Sequence, residues 1–291
     1  MTILILFKIF SLTAADSTYA DSSGTDYYEA SNVLRFADHL YQEKDYFRAA
    51  GEYYRYLFSF DTFPPNTDSI YYRIGACFKK GGNYSKASDF FMKSAQLSHD
   101  PSFISSANFN ISKSYSLISN YERSNEFIGR HIREDDDPVQ KKMRQLRVAN
   151  YLYTARWQQA ADLLRSEIDT DTITNLLRRF TNEGLTLPHK SAVLAGVFST
   201  IIPGSGKLYT NRFYEGMQSF FTVGIMGWQS CDGFKSSGIS SFKGWAFGVV
   251  GGLFYLGNIY GSIVAAEIYN EEIENKHIEK IRVYVNIDID Y

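Results

Sequence analysis

Asn83-Tyr84-Ser85-Lys86-Ala87 is the stretch whose reading decides the fold, because imperfect copies of it recur along the chain. They are Asp45-Tyr46-Phe47-Arg48-Ala49, Asn120-Tyr121-Glu122-Arg123-Ser124 and Arg156-Trp157-Gln158-Gln159-Ala160. Each runs polar, aromatic, two mixed residues, small. The aromatic falls at 46, 84, 121 and 157, in steps of 38, 37 and 36 residues. A fixed spacing of this size marks a repeat built of helix pairs, since one pair cannot bury its apolar face alone and must stack on neighbours. Gly81-Gly82-Asn83 reads as a helix-ending turn inside the second unit. The acidic run Glu134-Asp135-Asp136-Asp137 before Pro138 reads as a solvated loop between helices, lacking the ligand spacing of a calcium site.

The period and pattern resemble the tetratricopeptide repeat (TPR), a helix-turn-helix unit of about 34 residues. The resemblance covers roughly residues 28–170. In that family a small residue in the first helix meets another that opens the second. The corresponding pairs here are Ala37 with Ala49, Gly75 with Ala87, Ser112 with Ser124, and Val148 or Ala149 with Ala160. The resemblance implies a concave surface made by the first helices. Counting from the small residues assigns Asp38, Tyr41, Tyr72, Lys79, Lys80, Lys113 and Tyr153 to it. As a groove, this surface has a basic middle suited to an acidic segment or a C-terminal carboxylate of a protein partner. The other reading is an exposed helix face with ordinary charges, since no Asn-Lys clamp for a peptide carboxylate is visible.

Beyond residue 187 the chain turns apolar and glycine-rich. Residues 245–266 are long enough to span a bilayer, with Asn258 and Ser262 as their clearly polar members. Gly244, Gly248 and Gly252, then Gly257, Gly261 and Ala265, step by four, which predicts two close-packing stripes on one helix. Residues 213–229 form a weaker span, with Glu215 and Gln218 near its start, and a turn-rich link at 231–238 makes the two a hairpin. Residues 192–202 are apolar but too short to cross, and Pro203, Gly204 and Gly206 break the helix after them; the segment is re-entrant, interfacial or buried. Gly204-Ser205-Gly206-Lys207 is no phosphate loop. Ile201 stands where that motif needs glycine, and Leu208 where it needs Ser or Thr. Lys207 and Arg212 are expected at headgroup level, with Tyr209, Tyr214, Trp228 and Trp245 as an aromatic belt. Asn258, in mid-span, is costly unless hydrogen-bonded, so a helix-to-helix bond is expected there, with a functional role as the alternative.

The combination of Lys190-Ser191, Leu194-Ala195-Gly196, Pro203-Gly204-x-Gly206-x-x-Tyr209, Gly257-Asn258-Ile259-Tyr260-Gly261, Ala265-Ala266 and Tyr269-Asn270 resembles the C-terminal part of a group of bacterial envelope TPR proteins. The Pro-Gly-x-Gly-x-x-Tyr element is similar to one in small two-helix bacterial membrane domains of unknown role. The resemblance runs from Lys190 to Asn270 and implies a location, not an activity. An association of some relatives with membrane-protein insertion efficiency factors implies envelope assembly as a second possible role.

The two ends are read separately. Residues 1–20 carry an apolar run, Ile3 to Phe10, then small residues around Ala15 and Ala20, as in a secretory signal. Lys8 interrupts the run, so an uncleaved anchor and a mis-started reading frame are alternatives. At the other end Ile281, Val283, Val285, Ile287 and Ile289 alternate with polar residues, which predicts a strand. It would resemble a barrel strand, pair with a partner's sheet edge, or fold back on itself. A formal charge of −2 over 291 residues argues against nucleic-acid binding. Cys77 and Cys231 have no Cys-x-x-Cys spacing and read as free thiols.

The expected architecture is all-α. A TPR-like solenoid over residues 25–185 precedes a glycine-rich transmembrane hairpin with a short leading apolar helix over 188–270, and a charged, strand-like tail over 271–291. No nucleophile–base set, metal-ligand cluster or nucleotide loop is present in the sequence, so no catalysis, cofactor, metal or nucleotide is expected. The expected function is a membrane-anchored envelope adaptor that binds protein partners through its repeats and the lipid bilayer through its helices. The alternative is a membrane-protein assembly or insertion factor whose glycine-rich module is the active part. An exported signal and the loop lysines Lys235 and Lys243 place the repeats in the periplasm, and apolar helices favour the inner membrane over the outer. A soluble helical protein with a very apolar second domain is the remaining reading.

Overall fold

The four polar–aromatic–small motifs occupy equivalent places in the fold: each opens the second helix of a pair. The computed structural model describes residues 29–60, 62, 64–133, 137–166 and 171–287. The predicted signal segment, Glu134-Asp135-Asp136 and Ile289 lie outside the described residues. Among those residues the fold is all-α. The chain divides into two units, Met1–Pro64 and Pro65–Tyr291, each described by itself. The first holds α1 (Ala30–Gln42) and α2 (Tyr46–Phe58). The second begins with an arm of α3 (Thr67–Lys80), α4 (Tyr84–Leu97), α5 (Pro101–Leu117), α6 (Tyr121–His131), α7 (Pro138–Leu152), α8 (Trp157–Ser166) and α9 (Thr172–Leu185). A module follows: α10 (Ala192–Ile201), α11 (Ser205–Tyr209), α12 (Phe213–Ser237), a 3₁₀ turn at Gly238–Ser240, and α13 (Phe242–Tyr284).

One turn recurs throughout. Lys44, Gly82, Ser119 and Ala155 have φ of 63°, 81°, 60° and 55°. The next residue's N–H reaches back five positions: Asp45 to Leu40 O, Asn83 to Phe78 O, Asn120 to Tyr115 O and Arg156 to Tyr151 O, all within 2.8–2.9 Å. This is the Schellman closure, in which a left-handed residue lets the chain satisfy the last helical carbonyls. Asp45, Asn83 and Asn120 then accept from the N–H three residues on and so cap the next helix. The polar residue of the motif therefore closes one helix and starts another. The small residue is buried at all four sites, at Ala49, Ala87, Ser124 and Ala160. In the third pair the two small residues meet directly: Ser124 Oγ donates to the Ser112 carbonyl at 2.8 Å.

A fifth copy of this turn joins α11 to α12. Asn211 has φ 64°, Arg212 N–H donates to Lys207 O at 2.9 Å, and Gly216 is buried. Arg212-Phe213-Tyr214-Glu215-Gly216 has the repeat's own pattern. The repeat step hides it, because Phe213 lies well past the position one step beyond Trp157.

The predicted strand at the C-terminus is corrected. Ile278 to Tyr284 continue α13, a single helix of 43 residues that runs about 65 Å at 1.5 Å per residue. Ile278, Ile281, Val285 and Ile287 are buried against Phe109, Met143, Leu146, Leu177 and Phe180 of the arm. Positions 278, 281 and 285 are three and four apart, so a helix presents them on one side. Val283, which a strand would bury beside them, is 78 % exposed. The arm's core is thus completed by the last helix of the chain. His277 adds to the join, with Nε2 2.8 Å from the Phe180 carbonyl and its ring edge-on to Trp157.

The packing stripes are corrected at Gly252 and Gly257. Gly244, Gly251, Asn258 and Ala265 are among the buried positions of α13 and are spaced by seven. A Cβ at Gly244 would meet the Phe234 ring, one at Gly248 the Ser230 hydroxyl, and one at Gly251 Met226, all on α12. A Cβ added at Gly252 or Gly257, both expected in contact, would meet nothing within 4 Å. Each residue turns a helix by about 100°, so eight residues drift about 80° from the seam and seven only about 20°. Ser262 and Ala265 continue the seam, and there α10 replaces α12: Ser199 Oγ and Ser262 Oγ lie 2.7 Å apart.

Candidate functional site

The groove residues fall in both units and behave differently. In the first unit, Asp38 accepts from Tyr53 OH at 2.5 Å, and Tyr41 stands edge-on to Tyr46. In the second, Tyr72 is corrected from surface to core. It is 5 % exposed, with Phe91 and Phe103 against its ring. Its hydroxyl accepts from Asn110 Nδ2 at 2.7 Å, while Asn110 Oδ1 accepts from Lys79 Nζ at 2.9 Å. Lys80 is exposed.

Lys113 and Tyr153 come together around a cavity of about 580 Å³ that also takes Tyr121, Arg282 and Asn286. Arg282, from the end of α13, donates to Tyr121 OH at 3.1 Å and lies 5.8 Å from the Tyr153 ring centre. Burial pushes the Tyr153 hydroxyl up to about 12, with Tyr121 adding to the effect and Arg282 opposing it. Both charged residues of the lining are cations, so the cavity favours an anion. Arg282 was not among the sequence candidates. The strand reading hid it, because it is the helical tail that delivers its side chain to Tyr121 and Tyr153.

The residues behind the membrane-module resemblance converge on one knot. Asn270 clamps Lys190 from both sides: its Oδ1 accepts from Lys190 N at 2.7 Å and its Nδ2 donates to Lys190 O at 2.9 Å. Lys190 Nζ lies 4.7 Å from the Tyr209 ring centre, and Tyr209 OH accepts from Ser191 N at 3.2 Å. Pro203, Gly204 and Gly206 form the helix break. Gly204 takes φ 88°, and a Cβ there would lie 2.0 Å from Gly216 O; one at Gly206 would lie 2.0 Å from Ala195 O. The Gly206 N–H is spent on Ser199 Oγ at 3.0 Å, and the N–H groups of Lys207 and Leu208 on Gly204 O. The backbone donors a phosphate loop would offer are therefore already used.

Beside this knot, α11, α12 and α13 enclose a cavity of about 510 Å³. Lys207 reaches into it and donates to Ser219 Oγ at 3.1 Å, with its Cε 3.5 Å from where a Cβ on Gly261 would stand. Asn258 is among the lining residues, 5 % exposed, with both its amide atoms buried. The expected helix-to-helix hydrogen bond is absent there: neither Oδ1 nor Nδ2 has a partner among the described residues. Its backbone carbonyl, by contrast, accepts from Ser262 Oγ at 2.8 Å. An unmet buried amide costs about 1–3 kcal/mol, so this residue is out of place as pure packing. Among the described residues no group of three or more His, Cys, Asp or Glu is placed to hold a metal ion, and Cys77 and Cys231 are free thiols.

Among the described residues one helix, α13, is long and apolar enough to cross a membrane, with a mean hydropathy of 1.5 over its best window. Its outward face is apolar, with Trp245, Val249, Leu253, Leu256 and Tyr260 all more than half exposed. No protein-family model matches the chain, and no curated protein aligns with it.

Proposed function

We propose that the chain is a non-enzymatic, membrane-anchored adaptor of the bacterial envelope, with a tetratricopeptide-type arm that binds protein partners. The observation that carries this is the continuity of α13. Its first half has the length and apolar surface of a span, and its last turns are part of the arm's core. A helix shared in this way fixes the arm to the anchor without a flexible joint, which suits a scaffold that presents a partner at a set distance from the bilayer. The partner segment is acidic or ends in a free carboxylate, because the cavity at Lys113 and Arg282 carries only positive charge. The arm stands in the periplasm, anchored in the inner membrane.

The test is affinity capture with the full chain in mild detergent, since a fragment ending at residue 185 would lack the buried Ile278, Ile281 and Val285. Arg282→Glu should remove at least one specifically captured protein while leaving extraction and folding unchanged. A capture profile identical to wild type would refute the reading.

A second reading, an assembly or insertion factor acting through the module, draws support from the polar cavity around Asn258 inside an otherwise apolar helix set. It requires function to fail when the cavity is filled with the arm intact.

A further inference from the structure

Lys207, Gln218, Ser219 and Thr222 line one cavity. Lys207 is the sole charged residue of that lining and makes no ion pair among the described residues; Ser219 is its hydrogen-bond partner. A single cation beside hydroxyls and a carboxamide selects a ligand of one net negative charge that offers both acceptors and a donor.

The cavity's mouth is apolar. Val250, Leu253 and Phe254 line it and are exposed on the outer face of the helix that is long enough to span. A ligand bound there would have its head against Lys207 and Ser219 and its body along an apolar, outward-facing wall. That shape is an amphiphile. We propose that this cavity binds the anionic phosphodiester headgroup of a phospholipid such as phosphatidylglycerol. The phosphate oxygens accept from Lys207 Nζ and the Ser219 hydroxyl. The acyl chains follow Leu253 and Phe254. The proposal rests on the module lying in a bilayer. It is independent of what the arm binds.

The test uses the full chain in dodecyl maltoside micelles, with lipid retention read by native mass spectrometry and stability by thermal unfolding. The probes are phosphatidylglycerol, phosphatidylcholine with the same chains, and inorganic phosphate. Phosphatidylglycerol should be retained at least tenfold better than phosphatidylcholine, and millimolar phosphate should not displace it. Lys207→Met should lower that retention at least tenfold and Lys207→Arg should keep most of it. Ser219→Ala separates ligand binding from packing: retention should fall while the lipid-free unfolding temperature holds, because a half-buried hydroxyl at the cavity wall has been removed. Should Lys207→Met not fold, Ser219→Ala and Lys207→Arg decide. Equal retention of the two lipids, or wild-type retention by Ser219→Ala, overturns the proposal. Displacement by phosphate alone reassigns the cavity to a free anion and overturns the lipid. A chain that stays monodisperse without detergent overturns the bilayer reading itself, whereas a chain that needs detergent but lacks lipid preference overturns only the proposed site.

Discussion

The arm α3–α9 and the module α10–α13 use the same turn and the same small residues, but different atoms meet those residues. In the arm a side chain fills the space above the glycine: a Cβ at Gly75 would lie 2.9 Å from the Phe91 ring, and one at Gly184 would lie 2.5 Å from the Trp157 indole. In the module some glycines meet side chains as well, but at Gly204, Gly206 and Gly233 the nearest atom is backbone. Gly204 abuts Gly216 O, Gly206 abuts Ala195 O, and Gly233 abuts Gly244 N. A ring can swing on its χ angles to admit a methyl group, whereas a helix must move as a body. The arm also hides its large apolar residues in shared cores, while the module turns Val193, Ile201, Trp228 and Leu253 outward. The difference is that between helices packed by the hydrophobic effect and helices packed by close approach, as expected where the surroundings are themselves apolar.

The sharpest way to break this contrast is a pair of glycine substitutions. Gly206→Val should destabilise the module by about 3 kcal/mol or more, and Gly75→Ala the arm by about 1 kcal/mol. Both are measured by thermal and denaturant unfolding in detergent. Equal costs would erase the distinction between ring contact and backbone contact.

The next effect tests where the module ends and the arm begins. Ile281 is fully buried in the arm's core although it lies on the helix that leaves the module. Ile281→Ala should cost about 3 kcal/mol in the arm's unfolding, with the module unchanged. Loss of stability in the module alone would detach the tail from the arm.

A smaller effect is electrostatic. Burial raises the Asp171 carboxyl, but hydrogen bonds from Thr174, Gln145 and Lys141 outweigh it and hold the group at about 2. Its native value lies below its unfolded value near 3.8. The stabilisation is therefore complete above about pH 4–5 and is lost as pH falls through about 2. The side chain is 35 % exposed, so solvent screening reduces the effect to about 1 kcal/mol. Asp171→Asn keeps a capping oxygen for Thr174 and should lose that amount at pH 7. The difference from wild type should vanish near pH 2, and an unchanged difference there would contradict the assignment.

The smallest prediction concerns the seam. Gly252 has open space where a Cβ would go, so Gly252→Ala should stabilise α13 by about 0.5–1 kcal/mol through helix propensity. The same change at Gly251 should destabilise it, because Met226 stands 2.9 Å away. The opposite outcome would restore the four-residue stripe.

Much of the fold was legible because the repeat motif is local. A polar residue that closes one helix and caps the next, an aromatic, and a small residue fit one turn, and short-range hydrogen bonds enforce it. The fifth copy at Phe213 escaped because period was the signal and the period had broken. The candidate sites were less legible. Lys113 and Tyr153 were placed on the right face, but Arg282 was not, because its position depends on 43 residues of unbroken helix. Asn258 stood out as a buried amide, yet nothing local tells whether a neighbour satisfies it.

The sequence by itself determined the helix pairs, their turns and the apolar, glycine-rich character of the last third, since each follows from patterns within a turn or two of helix. The tertiary structure alone decided three things. It chose residue 251 over 252 as the seam, because the direction in which each points from the helix axis matters only once a partner helix lies alongside. It took the alternating tail into a helix, because the arm's core offers Ile278, Ile281 and Val285 one continuous face to bury. And it left the Asn258 amide without a partner, because that depends on which side chains surround it once the helices have met.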